Sequence, residues 1–562
     1  MDYGLRTMIG AQILFECLER EGVQIMFGYP GGAVLPIFDR LYDSKIRFIL
    51  TRHEQAAAHA ADGYARATGK VGVCIATSGP GATNLTTGIA NAYMDSIPMV
   101  AITGQVKTFL IGNDAFQEAD ITGITRSISK HNYLVKDVKT LALTIREAFH
   151  IASSGRPGPV LIDIPVDVQQ AECDFFWPEE VSMRGYKPTY FGHPGQIKKA
   201  AKLISGSKKP ILFIGGGVIT SQAHQEIKGL AEGLQLPVVM TMMGLGGFPG
   251  THELSLGMLG MHGTAYANHG VMESDLLIAV GVRFDDRVTG RVSTFSPHAK
   301  IIHIDIDPTS IAKNVKADVP IVGDAKNILG QLIEEIKKKP DTQKWLEQIH
   351  EWKARHPLRY QHHDNKIKPQ FVIEQIYEAT KGTAIIVTEV GQNQMWSCQW
   401  YKYDKPRTFI SSGGLGTMGF GFPAAMGVKL GCPEKTVFDI AGDGSIQMNI
   451  QELITAVCNK IPVKVAILNN GYLGMVRQWQ ELFYKKRYSQ TKLCNPDFVR
   501  VAEAYGALGI RVEKTEDVRP AIEKAIKIDN TVFLDFIVEE EENVYPMVPA
   551  GEAINRMIGG MA

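Results

Sequence analysis

Residues 436–470 read TVFDIAGDGSIQMNIQELITAVCNKIPVKVAILNN. The run 436–441 is a short apolar strand, and Gly442-Asp443-Gly444-Ser445 is a tight turn. From Asn449 onward Ile450, Leu453, Ile454 and Val457 recur at i, i+3, i+4 and i+7, the period of a helix. A second apolar run, 463–468, ends at Asn469-Asn470. Strand, helix and strand in that order predict one βαβ crossover, which brings Asp443 and Asn470 to the same end of two parallel strands. Free N–H groups of the turn and of a helix N-terminus then face the same point and favour an anion. An Asp carboxylate and an Asn amide oxygen beside that anion suit a hard divalent cation such as Mg2+. Singly, Gly-Asp-Gly is a plain turn and Asn-Asn-Gly a cap or hairpin signal; the joint spacing gives the pair its meaning.

The same alternation runs through the whole chain, so the fold class is α/β, with three doubly wound parallel-sheet domains. Strands are expected at 24–28, 47–50, 71–77 and 99–103 in the first third, and at 210–215, 236–241, 275–282 and 300–305 in the second. In the last third they are expected at 384–388, 436–441, 463–468 and 531–538. The first helix is expected to begin near Thr7, and an alanine-rich helix to cover 56–67. Two connections, the Pro/Gly-containing 169–195 and the charged 336–368, divide the chain. The expected domains are 1–170, 190–345 and 365–545, followed by a tail over 546–562. Ligands of open parallel sheets bind beyond the carboxyl ends of the strands, so function should gather in the loops there.

Composition removes several alternatives. Of 562 residues 45% are hydrophobic and 21% charged, which suits a chain with large buried cores. Lys plus Arg equals Asp plus Glu, 59 against 59, and no basic stripe marks a nucleic-acid surface. The longest apolar runs are strand-sized, well short of the roughly 20 residues of a membrane helix. Seven scattered cysteines, none in a C-x-x-C pair, argue against a disulfide framework or a zinc site, and most are expected to be buried thiols. Met1 to Gly10 has no leader pattern, which points to a cytoplasmic protein.

Two further loops follow strands in the first third: Gly28-Tyr29-Pro30-Gly31-Gly32-Ala33 and Thr77-Ser78-Gly79-Pro80-Gly81-Ala82-Thr83-Asn84. Between them lies Thr51-Arg52-His53-Glu54-Gln55-Ala56, where a strand gives way to the alanine-rich helix. On position alone Glu54 is an ordinary acidic residue of a helix N-terminus. Flanked by two Gly-rich loops, in a chain that also carries the metal motif, it reads as an active-site acid. These motifs, over nearly the whole chain, resemble the catalytic subunits of acetohydroxyacid synthases, which are thiamine-diphosphate enzymes.

The resemblance implies a cofactor set of thiamine diphosphate, Mg2+ and FAD. The metal ligands would be Asp443, Asn470 and the main-chain oxygen of Tyr472. Thiamine diphosphate would be held by Tyr29, Pro30, Gly31, Gly32, Pro80 and Asn84 of one subunit and by Val390, Gly391, Gln392, Asn393, Gly416, Met418, Gly442, Gly444, Ser445 and Met475 of another. The implied assembly is therefore a homodimer or homotetramer with interfacial active sites. Glu54 would be the acid beside the aminopyrimidine, Gln117 a second catalytic residue, and Met418 the apolar prop of the bent cofactor. Read without the family, Met418 is a core methionine.

In the middle third Gly215-Gly216-Gly217 follows a strand but lacks the G-x-G-x-x-G spacing, a weak nicotinamide signal. The resemblance instead implies FAD on Arg156, Gly215, Gly216, Gly217, Thr241, Met242, Met261, His262, Arg283, Asp285, Arg287, Val288, Asp305, Ile306, Asp324 and Ala325. A surface salt-bridge network of Arg283, Asp285, Asp286 and Arg287 is the plainer alternative. Phe116 and Trp479 match family substrate positions, Trp479 with Met475 lining the acceptor pocket, although a tryptophan on a helix face also packs well in a core.

The implied reaction is decarboxylation of pyruvate and transfer of its two-carbon unit to pyruvate or 2-ketobutyrate, on the route to valine, leucine and isoleucine. A small regulatory subunit is a frequent partner in the family. An FAD-dependent pyruvate oxidase, another 2-keto acid decarboxylase, and a noncatalytic protein on the same scaffold are the competing readings. Two residues depart from the family pattern: Val166 stands where lysine is usual, removing a cation near the substrate entrance, and Asn393 replaces a frequent histidine.

Overall fold

The computed structural model describes residues 6–361 and 366–559. Residues 362–365 of the second connection, the last three of the tail and the first five of the N-terminus lie outside the described residues.

Parallel strands need crossover connections, and here helices cover three six-stranded sheets in which every neighbouring pair is parallel. The first sheet runs, in spatial order, Arg47–Leu50, Ile25–Gly28, Gly72–Ala76, Met99–Gln105, Pro159–Pro165, His131–Leu134. The last runs Phe409–Ile410, Ile385–Thr388, Val437–Gly442, Lys464–Asn469, Val532–Ile537, Leu508–Val512. Numbered along the chain within each sheet, both orders are 2-1-3-4-6-5, so the two outer domains share one topology. The middle sheet runs Ser255–Met258, Val238–Met240, Pro210–Ile214, Leu276–Val280, Lys300–Asp305, Val319–Val322, which is 3-2-1-4-5-6, the dinucleotide-binding order. Central strands such as Gly72–Ala76, Pro210–Ile214 and Leu276–Val280 are buried along their whole length, as sheets covered on both faces require.

All twelve strands expected from the sequence are present, with ends shifted by up to two residues. The structure corrects several other expectations. Thr7–Ile9 is a strand, antiparallel to Glu172–Asp174, and the first helix is Gly10–Arg20. Gly442 caps a single helical turn, Asp443–Ile446, which takes in the expected Asp443-Gly444-Ser445 turn; it and a 3-10 turn, Gln447–Asn449, precede the helix proper at Glu452–Cys458. Only Cys17, Cys74 and Cys398 are buried among the seven cysteines; Cys458 and Cys494 are exposed.

The outer domains of the one chain meet helix against helix. Alanine carries the helix Glu54–Thr68, which begins where the His53 ring accepts the Gln55 N–H and ends at Gly69 with φ 76°. It packs on Gly421–Gly431 so closely that a Cβ on Gly427 would lie 1.9 Å from the Ala60 carbonyl oxygen, and one on Gly63 2.2 Å from that of Ala424. Around this contact Arg66, Asp62, Asn91 and Asp95 form a buried polar network that reaches across to the loop at 411–417. The middle domain is tied in by Arg156, whose guanidinium meets Asp307 at 3.0 Å and the Ser96 hydroxyl at 2.8 Å.

Candidate active site

The switch point of the last sheet, between Ile385–Thr388 and Val437–Gly442, opens a cavity. Val390, Gly391, Gln392, Asn393, Met418, Gly442, Asp443, Gly444, Ser445, Asn470, Tyr472 and Met475 line it, all of them expected cofactor or metal positions. Gly416, with φ 71°, lies one step behind the wall beside Val390. Trp396, Leu468, Leu473, Gly474 and Val476 complete the lining and give it an apolar side that no motif announced.

Asp443 is 1% exposed, and its Oδ2 accepts from the Gly471 N–H at 3.0 Å and from Asn495 Nδ2 at 2.6 Å. Burial lifts its carboxyl to about 6 despite these bonds, the state of a ligand oxygen that gains from a nearby cation. Asn470 Oδ1 accepts the Tyr472 N–H at 3.1 Å, which fixes the bend that follows the strand Lys464–Asn469. Asn393 donates from Nδ2 to the carbonyls of Glu389 and Ile440, at 3.1 and 2.7 Å, and so ties two neighbouring strand ends together. The residue that departs from the family histidine is thus built into the wall. An oxygen-rich pair of buried ligands, a glycine turn and an apolar wall fit a diphosphate held through Mg2+ with an apolar ring above it.

Met418 is immobilised from both sides. The Thr417 N–H donates to Ser412 Oγ at 2.8 Å, the Gly419 N–H to Glu389 Oε2 at 2.7 Å, and the Gly419 carbonyl accepts from Asn449 Nδ2 at 2.6 Å. Upstream, the Asp95 carboxylate accepts the N–H groups of Gly413 and Gly414 at 3.0 and 2.7 Å.

Glu54 stands at the first sheet, half-buried, where Asn84 Nδ2 donates to its Oε2 at 2.9 Å. Here too the switch point organises the loops: Thr77 Oγ1 accepts the Ala33 N–H at 3.2 Å, joining the Tyr29-Pro30-Gly31-Gly32 loop to the one that carries Pro80 and Asn84. A Cβ on Gly31 would strike the Thr77 side chain at 2.5 Å, while Gly32 faces open space. Gln117, itself at φ 58°, packs over Gly79, where a Cβ would come within 2.8 Å of its carbonyl oxygen. Phe116 beside it is 88% exposed. None of these residues lines the Asp443 cavity of the same chain.

Beyond the cavity, Met475 and Trp479 sit one turn apart on the helix Gly474–Phe483. Arg477 and Gln478 on its inner side are fully buried, Arg477 on Glu481, Asn543 and the Glu542 carbonyl, Gln478 on Gln392 and Val544. Trp479 is half-buried rather than a core residue, and it does not line the cavity wall. Val166, also half-buried, opens the short helix Val166–Gln170.

The expected FAD residues gather at the carboxyl edge of the middle sheet. Gly215, Gly216 and Gly217 follow its first strand at the switch point, with Gly215 and Gly217 closed against Gly281 and only Gly216 facing open space apart from Met243. Thr241 caps the turn that contains Met242, Asp285 caps the turn that contains Arg287 and Val288, and Asp324 caps the helix that starts at Ala325. Met261 pairs through its N–H with the Arg287 carbonyl at 2.8 Å. His262 is buried with Nδ1 unpartnered, and burial holds its imidazole down at about 4, hence neutral. Asp305, at the end of its strand and followed by Ile306, is lifted by burial to about 6. Arg287 pairs with Asp286 at 3.5 Å, the only ion pair among Arg283, Asp285, Asp286 and Arg287 in the described residues, so these four form no surface network there. A glycine open to approach, a buried imidazole with Nδ1 unpartnered and strand-end carboxyls fit a dinucleotide such as FAD.

Three parallel-sheet domains, with a glycine-turn cradle at one switch point and a carboxyl at the matching one, define an enzyme of the thiamine-diphosphate type. The family descriptions agree: residues 8–124 match the N-terminal TPP binding domain of thiamine pyrophosphate enzymes, 197–332 the central domain, and 389–536 the C-terminal TPP binding domain. The acetolactate synthase large subunit of Corynebacterium glutamicum is 54% identical over 97% of this chain and 89% of that protein. Isozyme 3 large subunit of Escherichia coli K12 is 51% identical over 98% and 99%. An acetolactate synthase of Mycobacterium bovis is 53% identical over 97% and 91%. The chain belongs to the acetolactate synthase large-subunit family of thiamine pyrophosphate enzymes.

Proposed function

We propose that the protein joins two 2-keto acids with loss of carbon dioxide, making 2-acetolactate from pyruvate and 2-aceto-2-hydroxybutyrate from pyruvate with 2-ketobutyrate. The reading rests above all on one observation: Asp443, Asn470, Tyr472, Met418 and Met475 line a single cavity, in a chain that matches acetolactate synthases over nearly all its length. Thiamine diphosphate, when bound, supplies the carbon that attacks the keto group and the electron sink for decarboxylation. Asp443, Asn470 and the Tyr472 carbonyl would hold Mg2+ and through it the diphosphate, and Met418 and Met475 would support the rings. Glu54 would hold the proton beside the aminopyrimidine, Gln117 would face the reacting substrate, and Phe116 and Trp479 would select the acceptor. FAD on the middle domain has a structural role.

Two copies complete each site. Support comes from the separation of the Glu54 loops and the Asp443 cavity within one chain, and from large apolar side chains left exposed near both: Phe109, Phe116 and Leu35 on one domain, Met448, Leu415 and Val476 on the other. A small regulatory subunit is the natural partner, since the relatives are named large subunits. No described helix is long and apolar enough to cross a membrane. The test is chemical: purified protein with thiamine diphosphate, Mg2+, FAD and pyruvate should yield acetolactate. Acetaldehyde, or acetate with peroxide, in place of acetolactate would overturn the assignment in favour of a decarboxylase or an oxidase.

A further inference from the structure

Glu452 opens the helix that follows the diphosphate turn, yet its carboxylate works for the other outer domain. It is fully buried; Oε1 accepts the main-chain N–H groups of Arg52 at 2.8 Å and His53 at 3.0 Å, and Oε2 accepts from Thr455 Oγ1 at 2.7 Å. Those two amides immediately precede Glu54. The next element of the cap is local, the His53 ring taking the Gln55 N–H at 3.1 Å. The same helix also reaches the preceding strand, through Thr455 Oγ1 to the Leu50 carbonyl at 3.4 Å and from Arg47 to the Asn459 carbonyl at 3.2 Å. The turn that launches Glu54 is therefore clamped by a single carboxylate nearly 400 residues away in sequence.

A buried carboxylate is costly unless its oxygens are satisfied, and burial does raise this one. Arg52 and His53 amides and the N-terminus of Glu54–Thr68 supply the compensating positive partners. In exchange the backbone directions at residues 52 and 53 are fixed, and with them the direction in which the Glu54 side chain leaves the helix. Holding a catalytic group within a fraction of an ångström is worth a large factor in rate, and a misplacement of about 1 Å can cost roughly 100-fold.

We propose that Glu452 is a positioning residue for Glu54, which it aims through the Arg52 and His53 amides; the inference rests on the reading of Glu54 as the acid. Because Glu452 lies nine residues beyond Asp443 on the same chain, the clamp also links the cofactor cradle of one active centre to the acid of the other in the proposed dimer.

The experiment compares Glu452→Ala, Glu452→Asp and Glu452→Gln with Glu54→Gln. Amide hydrogen exchange of a peptide covering residues 50–56 is read first, in protein free of cofactor. Exchange there should quicken at least tenfold in Glu452→Ala and in Glu452→Asp, whose shorter arm cannot reach, and stay near wild type in Glu452→Gln, whose amide oxygen still accepts both N–H groups. Hydrogen–deuterium exchange at C2 of bound thiamine diphosphate is read next, and should slow about 10- to 100-fold in Ala and Asp but recover in Gln, with KM for pyruvate little changed. Wild-type protection of 50–56 in both Ala and Asp, or unslowed C2 exchange in either, overturns the clamp. If Glu452→Ala does not fold, Glu452→Asp decides alone. Should Glu54→Gln itself leave C2 exchange unchanged, the role of Glu54 fails instead, and the amide-exchange result still judges the clamp by itself.

Discussion

Glu54 and Asp443 are both carboxyls, and their surroundings divide the labour between them. Asp443 is sealed among an amide N–H, Asn495 and a glycine turn, where the proposed Mg2+ would sit. Glu54 is half-buried with one side-chain donor, Asn84, and in the proposed dimer it would meet a ring held by the other subunit. Acceptor choice belongs to this scale as well. Trp479 stands one helical turn beyond Met475 on a helix anchored by the buried Arg477 and Gln478. One methylene of discrimination in an apolar pocket is worth about 1–3 kcal/mol, or 10- to 200-fold. Trp479→Leu is therefore expected to lower the ratio of aceto-hydroxybutyrate to acetolactate formed in mixed pyruvate and 2-ketobutyrate by about tenfold or more, while acetolactate formation continues. An unchanged ratio would remove Trp479 from the pocket. Asp443, Asn470 and Glu54 were legible in the sequence because glycine turns and strand ends mark them locally. Asn495 and Glu452 were not: both act on the site through bonds to residues distant in sequence, and nothing beside either residue in sequence points at the site.

Among the elements, the loop at 411–422 and the strand Val437–Gly442 carry the least comfortable chemistry. Glu389 spans them, fully buried, accepting the Gly419 and Phe422 N–H groups at 2.7 and 3.1 Å, and Asp439 lies beside it with neither oxygen hydrogen-bonded. Burial is the first cause of the rise in both, which takes Glu389 to about 7 and Asp439 well above the usual carboxylate range, the two charges opposing each other. Because both are raised on folding, their contribution to stability is whole below about 4, the unfolded carboxyl range, and is lost as pH climbs through about 7. Asp439→Asn removes one charge, so its melting temperature relative to wild type should rise steadily between pH 5 and 8; a difference independent of pH would contradict the pair. Legibility at this scale followed hydrophobicity. The twelve expected strands are apolar runs of useful length, whereas His131–Leu134 is too polar and Pro159–Pro165 too proline-bounded to stand out, and the antiparallel pair of Thr7–Ile9 with Glu172–Asp174 has no local signal at all. The helix period starting at Asn449 was real but blurred the break at Gln447–Asn449 that separates the diphosphate turn from Glu452–Cys458.

For the whole molecule, the repeated 2-1-3-4-6-5 topology gives each outer domain a switch point, and in the proposed site one would hold the diphosphate and the other the ring. Within a chain the two outer domains are locked to each other by the Gly421–Gly431 helix on Glu54–Thr68, by Asp95 on the 413–414 amides and by Glu452 on the 52–53 amides. The topology of each domain was within reach of the sequence; the side on which they meet was not, because it depends on glycines and alanines whose meaning appears only in contact. In the proposed dimer Asp443 of one chain and Glu54 of its neighbour serve the same coenzyme. Coexpressing an Asp443→Ala chain and a Glu54→Gln chain under different tags, and isolating the mixed dimer, tests it directly. Each homodimer is expected to be inactive, and the mixed dimer to regain about half of wild-type acetolactate synthesis, since both defects fall in one site and leave the other whole. A mixed dimer as inactive as its parents, alongside an active mixed dimer in which one chain carries both substitutions and the other none, would place both residues of each site on a single chain and contradict the account.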